Sequence, residues 1–211
     1  MKLILKFLTI SLLLISCSTT YTTRVKSLRG HPTMYEDPSS AGPVTGVGIE
    51  SQDIISMVDK MMRDMMANPT LAGCTTPPHI VIDSEYFRNE SSSIINKNLI
   101  TDLLRTELNR AANGKMVFIG RHYANMTEKE RALEDVGVVT EGTKGHTQKA
   151  LGWDYRLGGR IGSLDSIDPQ TGITSRYHQI TFEMVERGTG IIVWSGTYQF
   201  KKTAQDDILY R

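Results

Sequence analysis

The chain has 211 residues, with Lys+Arg 24 against Asp+Glu 23 and a net charge of +1. No stretch gathers basic residues along one face, which argues against a nucleic-acid partner. The length supports one domain with a real core rather than several.

The first element is a leader. Lys2 and Lys6 flank an apolar run from Phe7 to Ile15, too short for a membrane span and built like an export signal. The run ends in Leu14-Ile15-Ser16-Cys17, which resembles the lipobox of bacterial lipoproteins. That resemblance implies a signal peptide over residues 1–16, cleavage before Cys17, and attachment of palmitate-type acyl chains to Cys17 as the first mature residue. Ser18 stands where aspartate usually marks inner-membrane retention, so the implied address is the outer membrane, facing the periplasm. Each buried methylene contributes about 0.8 kcal/mol, so the anchor needs no transmembrane helix. The chain has 2 cysteines, and a lipidated Cys17 leaves Cys74 without an intrachain disulfide partner. In AGCTTPP, Cys74 reads as a small residue at the edge of the core.

Residues 17–47 are rich in Ser, Thr, Gly and Pro without periodicity and read as a lipidated tether. Fully extended it spans at most about 100 Å, and as a relaxed coil about 30 Å. Residues 48–211 are then the globular part. Its first helix covers about Ser51 to Ala67, with Ser51 as N-cap and a buried stripe of Ile54, Val58, Met61 and Met65. Ile55, Met57 and Met62 widen the stripe, while Asp53, Ser56, Lys60 and Arg63 form its wet face. Asn68-Pro69 ends it.

His79 to Ser84 reads as a strand and Asn96 to Ala112 as a helix, with Ser91-Ser92-Ser93 as capping residues before it. Leu99, Leu103, Leu104 and Leu108 form the apolar face of this helix, and Gly114 terminates it. A second strand over Lys115 to Gly120 implies a crossover with the two strands parallel. A helix over Thr127 to Asp135, with Thr127 and Glu130 as a capping box, precedes a short helix over Thr147 to Leu151. Three strands close the chain: Tyr155 to Leu164, Arg176 to Glu186, and Ile191 to Lys201, the last two joined at Gly188-Thr189-Gly190. Ile180, Phe182 and Met184 alternate with polar residues, and Ile192, Trp194, Tyr198 and Phe200 mark the facing side of the last strand. The class is α+β, helices packed on a mixed sheet.

No catalytic group emerges. The five histidines never fall at HxH or HxxxH spacing, which argues against a metal site, and no cofactor motif is present. Gly158-Gly159-Arg160-Ile161-Gly162 lies inside a strand, so its glycines mark a bulge or close packing rather than a phosphate loop. Asp165 and Asp168 read as turn residues. What remains is surface: outward-pointing Arg156 and Arg160 on one strand, Arg176 and Tyr177 on the next, and Trp153 just before the first. These residue types are those that interfaces favour.

GIESQDI with its Met-rich helix, INKNLITDLLRTELN before GKMVFIGR, GWDYRLGGRIGS and TFEMVERGTGIIVWSG follow one another behind the lipobox. In this order they resemble the LpoB family of penicillin-binding protein activators, whose domain is similar to the N-terminal domain of TolB. The resemblance implies a lipoprotein that is not an enzyme, docks on a bifunctional peptidoglycan synthase and stimulates it allosterically, with no cofactor. The tether is shorter and more Ser/Thr-rich than the long proline-rich one of the best-known members. Two alternatives stay open: a self-assembling envelope lipoprotein of TolB-like or curli-secretion-like type, and a periplasmic hydrolase whose residues converge only in three dimensions.

Overall fold

The computed structural model describes residues 33–42, 46–139, 142 and 150–204. Cys17, the expected export signal, most of the expected tether and residues 147–149 of the short helix expected over Thr147 to Leu151 lie outside the described residues, while Ala150 and Leu151 are exposed and not helical. The chain divides between Ser40 and Ala41. In the first part, the Asp37 carboxylate accepts from the backbone N–H and hydroxyl of Ser39, at 2.9 and 2.7 Å, and holds a local turn.

The second part begins its helices with α1 (Ser51–Ala67). Its N-cap is Glu50 rather than Ser51, because Glu50 and Asp53 form a reciprocal capping box. Ile54, Met57, Val58, Met61 and Met65 are buried, each contributing about 1.5–3 kcal/mol of apolar transfer energy. Asp53, expected on the wet face, is buried instead. Lys202 Nζ lies 2.6 Å from its Oδ2 and 3.4 Å from Glu50 Oε1. Asn68 ends α1 and caps the short α2 (Pro69–Ala72) through its Oδ1.

The described strands are β1 (His79–Val81), β2 (Phe87–Asn89), β3 (Val117–Phe118), β4 (Tyr155–Ile167), β5 (Thr174–Glu186) and β6 (Ile192–Ala204). They form one mixed sheet in the order β3-β1-β4-β5-β6, with β2 also pairing β4. β1 runs parallel to β3, as the strand–helix–strand order implies, and on its other side parallel to β4, while the β4-β5-β6 meander is antiparallel. Helix α3 (Lys97–Ala111) is capped by Asn96 and closes at Asn113 and Gly114, both at positive φ, where glycine is free of strain. Its buried side chains are Ile100, Thr101, Leu104 and Leu108; Leu99 is 58% exposed, one position off the stripe.

Helices α1 and α3 cover one face of the sheet. The core between them takes in Ile80, Phe87, Leu157, Ile161, Ile180, Phe182, Met184 and Trp194. Gly159 belongs to this face: a Cβ there would press into the Thr181 carbonyl and stand 2.9 Å from Phe87, whose ring stacks on Phe182 at 5.0 Å. The GGRIG glycines thus mark close packing at Gly159, with β4 and β5 in unbroken register. The bulge lies between β5 and β6 at Met184/Val185. It inserts Val193, which packs on the core, and turns Ile192 outward to 48% exposure, against the expected alternation.

Helix α4 (Ala124–Asp135) follows a 3-10 turn over Arg121–Tyr123 and buries no side chain. It starts three residues before Thr127, so the expected capping box is not made; Thr127 Oγ1 donates to the Ala124 carbonyl instead. The serines before α3 also act differently from expectation, since Ser92 N and Oγ engage Ser163 Oγ and Ser93 Oγ accepts from Arg176. Cys74 is exposed, not tucked at the core edge, and its Sγ donates to the Thr70 carbonyl.

Candidate docking face

Strand alternation puts Leu157, Gly159 and Ile161 under the helices and turns Arg156, Gly158, Arg160, Gly162 and Leu164 to the opposite face. On β5 the same face carries Tyr177, Gln179, Thr181, Glu183 and Val185, with Glu183 opposite Gly158. Four of the five residues singled out from sequence, Arg156, Arg160, Tyr177 and Trp153, therefore border this open side. Arg176 does not: it shares the parity of Ile180 and Phe182, is 8% exposed, and points under the helices. Its guanidinium pairs with Asp165 and donates to Ser93 Oγ at 3.1 Å, which makes a buried cation tolerable. That contact holds the Asp165 carboxyl below the usual carboxylate range and assigns Asp165 to the strand rather than the turn. Asp168 is the turn residue, accepting from Gln170 N at 2.9 Å and Thr171 Oγ1 at 2.7 Å.

Two hollows open on this face. One, of about 230 Å³, is bordered by Tyr86, Trp153, Arg156, Gly158 and Val185 and is lined almost wholly by carbon. Arg156 forms its rim, ion-paired to Asp83 at 2.8 Å and to Glu85, with the Tyr86 ring 4.5 Å from its guanidinium carbon. The other, of about 250 Å³, is bordered by Glu90, Arg160, Gly162, Leu164, Tyr177, Gln179 and Thr181. Tyr177 donates to Gln179 Oε1 at 3.0 Å and Gln179 Nε2 donates to Thr181 Oγ1 at 3.2 Å, which orders that wall. Sequence reading missed Tyr86, Glu90, Gln179 and Thr181. The signal available for two of them was parity, since Gln179 and Thr181 alternate with the apolar β5 residues.

Beneath the helices, at the same end of the sheet as Arg176, His178 is fully buried. Its Nε2 stands 2.6 Å from the Val47 carbonyl and its ring stacks on Phe200 at 4.8 Å. Burial pushes the imidazole below its ordinary range, with Arg176 and Lys202 adding to the effect and the Val47 contact and Asp53 opposing it. Val47, at the expected end of the tether, is itself buried. Among the described residues no three His, Cys, Asp or Glu side chains converge as metal ligands, and no helix is long and apolar enough to cross a membrane.

The described domain is thus an α+β unit with helices on one face of a mixed sheet and an open, hollowed face on the other. The family described as peptidoglycan-synthase activator LpoB matches residues 53–200, and the chain belongs to that family. Among solved structures, the LpoB C-terminal domain from Escherichia coli is similar at 19% identity and a TM-score of 0.41, over 70% of this chain and 98% of that one. The LpoB C-terminal domain from Salmonella enterica gives 18% identity and a TM-score of 0.37, over 70% and 94%. Lipoprotein GNA1162 from Neisseria meningitidis gives 16% and 0.33, over 62% and 87%. No curated protein gives a match.

Proposed function

We propose that the chain is a lipid-anchored activator of a bifunctional peptidoglycan synthase, a penicillin-binding protein, and works by docking rather than by chemistry of its own. The observation that carries this is the match to the activator family across residues 53–200. Residues 1–16 direct export, Cys17 holds the acyl chains in the outer membrane, the residues after it tether, and the domain, which takes in the buried Val47, meets the synthase in the periplasm. The partner binds the open sheet face, with Arg156, Arg160, Tyr177 and Trp153 as contacts, while Arg176 serves the fold. Activation is allosteric: the domain binds the active conformation of the synthase more tightly than the resting one and shifts its population. The test is binding of the same organism's detergent-solubilised bifunctional synthase to the immobilised full chain. Saturable binding in the micromolar range or tighter is expected; no binding would overturn the reading.

A further inference from the structure

The outward residues of β4 run Arg156, Gly158, Arg160, Gly162, Leu164, so glycine stands on each side of Arg160. Glycine weakens an exposed strand unless something requires it. Neither glycine here is required by the backbone, since neither has positive φ. Nor does packing require it: a Cβ on Gly158 would meet the Tyr86 carbonyl at an ordinary 3.5 Å, and a Cβ on Gly162 would meet nothing within 4 Å. What both do is leave the floors of the two hollows without a side chain. Four residues along a strand separate these floors by about 13 Å.

The hollows differ in chemistry. Tyr86, Trp153 and Val185 make the first apolar, with space for one aromatic or large aliphatic side chain. The second is polar, and the cations divide in the same way. Arg156, beside the first, is neutralised by Asp83 and Glu85. The Arg160 side chain, beside the second, makes no ion pair or hydrogen bond with another described residue.

We propose that this pair of hollows is a two-point reader on the docking face. The first takes an apolar anchor, and Arg160 with the Tyr177 wall takes one carboxylate about 13 Å away. The recognised segment is an extended stretch of the synthase with a large apolar residue and an Asp or Glu four positions apart, both on one side of the strand. Glu90, on the rim of the second hollow, repels a further carboxylate. The inference rests on the docking reading above.

Filling the hollows tests it. Gly158→Val and Gly162→Val in the full chain should keep or raise the thermal midpoint, because valine suits an exposed strand. Each should weaken binding of the detergent-solubilised synthase about tenfold. Gly158→Ala serves if the valine variant folds poorly. Arg160→Gln should weaken binding about tenfold and also flatten its salt dependence, which the Gly158 variants should leave intact. Wild-type binding with filled variants within twofold of it would overturn the two-point reader and leave the activator reading standing. Failure of the wild type to bind would overturn both.

Discussion

Gly159 and its neighbour Gly158 point to opposite faces of one strand, and a methyl group separates their roles. At Gly159 the added Cβ meets the Thr181 backbone and Phe87, so Gly159→Ala should cost about 1–3 kcal/mol in urea unfolding, whereas Gly158→Ala should be close to neutral. Sequence alone made the GGRIG run legible as a bulge or close packing but could not say which of the two or which glycine, because the crowding atoms come from β2 and β5. Arg176 shows the converse. Its parity with Ile180 and Phe182 was readable, yet charge argued for the surface, and only Asp165 and Ser93, brought in by the fold, explain its burial. His178 carries a pH dependence. Folding depresses its pKa, so the unfolded chain protonates first, and the stability this group contributes is full above about 6.5 and lost as pH falls through the depressed folded value. Thermal midpoints measured from pH 7.5 to 5.5 should fall for the wild type, and His178→Phe should show a shallower decline over the same window.

At the scale of elements, α1 and α3 were legible because their apolar residues recur at helical spacing and are bounded by Asn68-Pro69 and Gly114. Their caps were less so. Glu50 displaced Ser51 because a reciprocal capping box satisfies two backbone donors, and Asp53 can face inward only because Lys202, some 150 positions later, reaches it. That link ties the C-terminal end of β6 to the N-terminus of α1. Lys202→Ala leaves Glu50 and Asp53 without their cation, and should lower stability by about 2 kcal/mol in denaturant unfolding. A charge-removing Asp53→Asn change in the same background should recover part of the loss. The β5–β6 bulge had no sequence signal: Ile192 and Val193 are equally apolar, and pairing alone decides which faces the core.

For the whole molecule, the α+β class followed from the order of helical and alternating segments, and the family from motifs spread along the domain. The candidate face was half legible. Four of its residues were visible by type, but the hollows between them depend on which side chains are missing. The proposed anchor at Cys17 and the proposed tether set where this face can reach, and the face determines what it meets. Metabolic labelling with an alkyne palmitate should mark the wild-type chain and not Cys17→Ser, with labelling of both or neither counting against the anchor. Activation by docking is tested most directly by the rate of glycan-chain polymerisation by the same organism's bifunctional synthase, titrated with the full chain in detergent. A saturable rise is expected, shifted to higher concentration by Gly158→Val and Arg160→Gln; a rate unchanged at saturating chain would rule out activation.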